Sequence, residues 1–115
     1  MSLTQERGMR GEDLAAEFLR QKGYRLVERN VRSPFGEIDL VCDDRKTTVF
    51  VEVKFRASTA FGNPEEVVMG KKLERMRRAA EWYVTLHKLQ GAYRIDVIGI
   101  TGNPPRCTHL IDVWG

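Results

Sequence analysis

Two apolar runs, Glu37–Cys42 and Thr48–Phe55, are separated only by Asp43, Asp44, Arg45, Lys46 and Thr47, and a β-hairpin is the local structure that satisfies both. Side chains alternate faces along a strand, so Glu52, Lys54 and Arg56 fall on one face of the second run while Val49, Val51, Val53 and Phe55 fall on the other. The apolar face reads as core and the charged face as the chemical one. A hairpin closing symmetrically over Asp44 to Thr47 sets Asp39 opposite Glu52 and Glu37 opposite Lys54. Opposed residues share a face with Cβ atoms about 4.5–5.5 Å apart, so two carboxylates meet there and repel.

The remaining elements follow from periodicity. From Thr4 to Lys22, Leu14, Ala15, Phe18 and Leu19 recur at helical spacing, and Gly23 stops the pattern. Tyr24 to Val31 reads as a strand, with turn residues Ser33, Pro34 and Gly36 after it. Phe55 to Asn63 reads as a loop, and Asn63, Pro64, Glu65 and Glu66 have the order of a helix start. From Lys71, an apolar stripe of Leu73, Met76, Ala79, Ala80, Tyr83 and Leu86 predicts a helix running to about Gln90 and Gly91, with Lys71, Arg75 and Arg78 on its basic face. Tyr93 to Thr101 and Thr108 to Val113 complete the pattern as strands around a Pro-containing loop. Helix, three strands, helix, two strands is the order of an α/β sandwich with a mixed sheet.

The 115 residues suit one domain spanning residues 1–115, and 42% apolar with 30% charged residues is globular usage. No apolar run approaches the roughly 18 residues of a membrane span, and the opening MSLTQERGMR has no apolar signal core, so no membrane association and a cytoplasmic location are expected. Cys42 and Cys107 make neither a disulfide framework nor a metal-binding spacing and read as core. The net charge of +3 permits nucleic-acid binding without requiring it. The basic residues gather in QERGMR, RQKGYRLVERNVR and GKKLERMRR, as a polyanion-binding rim would, and equally as a solvated surface would.

A divalent cation is the economical remedy for two apposed carboxylates: Mg²⁺ takes one or two of them, keeps several waters and completes its shell with phosphate. Lys54 would then orient a water or stabilise charge on the phosphate, which suits metal-assisted phosphodiester hydrolysis. The same spacing fits a half-exposed polar face on which Glu37 pairs with Lys54. Asp96, between Ile95 and Val97, reads as a partner of Arg94 rather than a metal ligand. His87 and His109 have no partner at ligand spacing and receive no role, and Trp82 and Trp114 read as core or interface aromatics.

An acid in an early strand followed by Glu52-Val53-Lys54 in the next resembles the PD-(D/E)xK nuclease pattern. The wider set of Gly8, Gly11-Glu12, Ala15, Phe18-Leu19, Arg29-Asn30, Arg32, GEIDLV, VFVEVKFR, Phe61-Gly62, Lys72, Ala80 and RIDVI resembles the YraN-like family of bacterial proteins regarded as endonucleases, from about Glu6 to Ile100. That family is similar to archaeal Holliday-junction resolvases. The resemblance implies a restriction-endonuclease-like three-layer sandwich with a central mixed sheet of about five strands, metal ligands Asp39, Glu52 and Glu12, a catalytic Lys54, and Mg²⁺ or Mn²⁺ as cofactor. It further implies DNA, branched or structured, as the partner, and a homodimer. Arg32, Arg56, Lys71, Lys72, Arg75 and Arg78 are the candidate phosphate contacts. Ile38 stands before the strand acid where the wider motif often has Pro. A nucleic-acid-binding module that keeps this fold without turnover is the alternative.

Overall fold

A helix, α1 (Leu3–Gln21), precedes three strands, β1 (Arg25–Ser33), β2 (Gly36–Asp44) and β3 (Thr47–Arg56). A second helix, α2 (Lys71–Leu86), leads to β4 (Tyr93–Thr101) and β5 (Arg106–Leu110). The computed structural model describes the backbone of residues 3–56 and 71–114 and the side chains of residues 11–55 and 72–114. The expected loop and helix start between Phe55 and Glu66 lie largely outside the described residues.

The five strands form one sheet in sequence order, antiparallel throughout except for the parallel β3–β4 pair. A parallel pair cannot be closed by a tight turn, and the connection containing α2 supplies the crossover. On one face of the sheet Ala15, Ala16 and Leu19 of α1 pack against Leu40, Cys42, Val49, Val51, Ile98 and Ile100. On the other, Ala79, Ala80 and Tyr83 of α2 pack against Val41, Phe50 and Ile95. The result is the expected three-layer α/β sandwich.

Covering both faces changes the reading of β3. Val49, Val51 and Phe50 are all within 1% of full burial, so the strand has two core faces, as central strands with parallel neighbours do. Beyond Phe50 the α2-side face turns charged at Glu52. The hairpin register is the one expected from its turn: Leu40 pairs with Val51, Cys42 with Val49 and Asp44 with Thr47, over a turn whose Arg45 takes φ 60°.

Both helix C-termini close in the same way. The Tyr24 amide donates to the Leu19 carbonyl and the Gly23 amide to that of Arg20, with Gly23 at φ 95°. The Leu89 amide donates to Val84 and the Lys88 amide to Thr85, with Lys88 at φ 51°. These are Schellman closures. α2 therefore ends at Leu86, the last residue of the apolar stripe and earlier than Gly91 suggests. The last strand is also displaced, pairing over Arg106–Leu110 rather than Thr108–Val113.

Candidate metal centre

The β2–β3 ladder stops at Leu40 and Val51, yet β2 stays paired with β1 as far as Gly36 and β3 with β4 as far as Arg56. The two strands therefore part, and Asp39 and Glu52 are the first residues beyond the parting. The Val53 amide, left without a strand partner on that side, donates to Asp39 Oδ2 at 2.8 Å. On the β1 side the pairing steps from Arg29 with Leu40 to Val31 with Ile38, and Asn30 between them takes φ 51°. Its side chain hydrogen-bonds the Glu12 carboxylate, fixing the acid that α1 brings to the fork.

Carboxylate oxygens of Glu12, Glu37 and Asp39 all lie within 4.8 Å of one another. Three acids from two elements thus converge. Glu52 joins through Asp39, with which it shares a hydrogen bond. Its Oε1 is in turn held by Lys54 Nζ at 2.9 Å and Lys72 Nζ at 3.0 Å.

The electrostatics follow from this crowding. Burial, then the charge of Glu52 and the hydrogen bond with it, push the Asp39 carboxyl up to about 8, against the lowering effect of the Val53 amide. Burial raises Glu12 as well; nearby Glu37 adds to this, and the Asn30 hydrogen bond and Arg29 only partly oppose it. Asp39 and Glu12 are thus held where ionisation is disfavoured.

A pocket of about 250 Å³ opens onto Glu37, Asp39 and Glu52 and is lined also by Phe35, Lys72 and Arg75 among others. A larger groove of about 650 Å³ lies on the α2 surface at Trp82, Leu86 and Tyr93, where no cluster of three acids occurs among the described residues.

Of the residues singled out from the sequence, Asp39, Glu52, Lys54 and Glu12 come together here, and Lys72 and Arg75 line the pocket. Arg32 and Arg78 are exposed, Arg78 pairing with Glu74 at 3.3 Å. The side chains of Arg56 and Lys71 lie outside the described residues. Glu37 departs from expectation: Lys54 pairs with Glu52, not with Glu37, and Glu37 sits with Glu12 and Asp39 instead. The parting of β2 from β3 removes the cross-strand apposition that a continued ladder would have given Glu37 and Lys54.

Asp96 has the structural role expected of it, and His109 gains one that spacing did not reveal. Fully buried Asp96 accepts from Arg94 Nε at 3.0 Å, His109 Nε2 at 2.8 Å and the Asp112 amide at 2.9 Å. Burial alone would raise its carboxyl; these bonds outweigh burial and hold it below the usual range. Lys22 at the end of α1 meets the other His109 nitrogen at 2.8 Å, so the network ties α1 to β4 and β5. His109 thus lies in a structural network rather than among the acids of the fork.

Comparison with known proteins gives consistent results. The model of a family described as "Uncharacterised protein family UPF0102" matches residues 11–100. A UPF0102 protein of Syntrophomonas wolfei is 49% identical over 115 residues, covering 97% of this chain and 100% of the relative. One from Persephonella marina is 44% identical over 98 residues, 84% of each chain. One from Leifsonia xyli is 46% identical over 101 residues, covering 87% and 86%.

Proposed function

Because the chain belongs to the uncharacterised protein family UPF0102, whose description names no activity, we propose its function from the site: a divalent-cation-dependent endonuclease hydrolysing phosphodiester bonds in DNA, with branched or structured DNA as the substrate suggested by the resolvase resemblance. The observation that carries this reading is the convergence of acids from α1, β2 and β3 at the fork, with two lysine ammoniums on Glu52.

The donor set suits a hard cation. Every candidate ligand is a carboxylate oxygen, and neither cysteine nor histidine belongs to the cluster, which favours Mg²⁺ or Mn²⁺ over softer ions. Asp39 and Glu12, with Glu37 beside them, would hold the ion, and Glu52 would complete the set through its contact with Asp39. Bound there, the cation would supply Lewis acidity to the scissile phosphate and lower the pKa of a water. Lys54, only 16% exposed and fixed on Glu52, keeps a positive charge where the phosphate's negative charge grows. Lys72, Arg75 and Arg32 would give the rim the positive charge that a phosphate backbone requires.

The test is cleavage of supercoiled plasmid and of a four-way DNA junction with Mg²⁺ or Mn²⁺, comparing the native chain with Glu52→Gln and Lys54→Ala. The expected result is cation-dependent cleavage by the native chain, reduced about 100-fold or more in each variant. DNA binding without cleavage by the native chain would instead identify a nucleic-acid-binding module.

A further inference from the structure

Glu52 Oε1 is shared by two ammonium groups, Lys54 at 2.9 Å and Lys72 at 3.0 Å. One lysine suffices to pair a carboxylate, so the second needs its own account. The two are not equivalent. Lys54 is 16% exposed and belongs to the central strand β3, where movement would disturb packing on both faces. Lys72 is 40% exposed, stands in the first turn of α2, and reaches the acid pocket across its mouth.

We propose that the Lys72 ammonium is a built-in stand-in cation: it neutralises the acid pocket while no divalent ion is bound, and a divalent ion displaces it toward the phosphate of the substrate. This inference rests on the cation-dependent reading above. Two positive charges within a few ångströms of one another repel, and in a partly desolvated pocket that repulsion is only partly screened. The long, flexible lysine stem lets the ammonium withdraw at little structural cost. Its destination is also built. Arg75 lies one helical turn further along α2, exposed, lining the same pocket and without an ion-pair partner among the described residues. Arg77 and Arg78, by contrast, are tied to Glu74 and Glu81. Lys72 and Arg75, on one helix face, form a two-cation seat for a phosphate group. Its affinity would rise only once the divalent ion has freed Lys72, so that phosphate engagement follows cation loading.

The experiment is calorimetric titration of Mn²⁺ into the native chain, Lys72→Met and Lys72→Arg, with short duplex DNA binding measured with and without Ca²⁺. Lys72→Met is expected to bind Mn²⁺ about 3- to 10-fold tighter than the native chain, because a competing charge is gone, and Lys72→Arg to stay within about 2-fold. Lys72→Met should weaken DNA binding by about 3- to 10-fold in Ca²⁺ and by clearly less without divalent ions. Unchanged Mn²⁺ affinity in Lys72→Met, or equal loss of DNA binding in both conditions, would overturn the proposal and leave Lys72 a simple salt-bridge or phosphate residue. Absence of Mn²⁺ binding by the native chain would remove the metal-site reading itself, a failure visible before any variant is compared. The melting temperature of each variant without divalent ions checks that it is folded.

Discussion

Asp39 is where the geometry of two strands becomes chemistry. Its carboxylate replaces a missing ladder acceptor for Val53 and at the same time faces Glu52 and Glu12, so one side chain serves both the backbone and the acid cluster. The raised carboxyl has a thermodynamic consequence. The folded protein holds this proton more tightly than the unfolded chain, so the group's contribution to stability is complete below about pH 4 and is lost as pH rises through about 8. Without divalent ions the Asp39 contribution to the melting temperature should therefore decline between about pH 4 and pH 8 and level off above that. Asp39→Asn, neutral at every pH, should flatten that decline and abolish stabilisation by Mn²⁺; an unaltered slope in the variant would place the titration elsewhere. Glu37 shows the limit of reading residues by spacing. Cross-strand alternation puts it with Lys54, and only the end of the β2–β3 ladder turns it toward Glu12 and Asp39.

At the scale of the elements, the two helix ends make an instructive pair. Both close with the same hydrogen-bond pattern and a residue at positive φ, yet α1 uses Gly23 and α2 uses Lys88. Glycine at this position carries no Cβ penalty and announces itself in the sequence; lysine does not, so the residue pattern alone points to Gly91 as the stop. Lys88→Gly should relieve the strain and stabilise the protein by about 0.5–1 kcal/mol, measured by urea denaturation. A destabilised variant would mean that the Lys88 side chain contributes more than its backbone conformation costs. The hairpin was legible for the opposite reason. Its turn is short, so register follows from symmetry about it, and the observed pairs from Leu40 to Asp44 are those expected.

For the whole molecule, the site lies where α1, the β2–β3 parting and α2 meet, so its formation is inseparable from docking both helices on the sheet. Any ion that binds the folded form alone must then stabilise the whole fold: Mn²⁺ at about 100 times its dissociation constant should add about 2.7 kcal/mol and raise the melting temperature by several degrees. No such rise with either Mn²⁺ or Mg²⁺ would reduce the acid cluster to a polar network. No helix of the described residues is long and apolar enough to cross a membrane. The order of elements, the five strands, the hairpin register and the meeting of Asp39 with Glu52 could all be read from residue pattern, because alternation, turn length and glycine placement are local properties of a chain. The parting of the two strands, the arrival of Glu12 and Lys72 from opposite layers, the regrouping of Glu37 and the buried Asp96 network with His109 could not. They depend on residues far apart in sequence being held together by packing on both faces of one sheet, and no local pattern encodes which side chains that packing brings within reach.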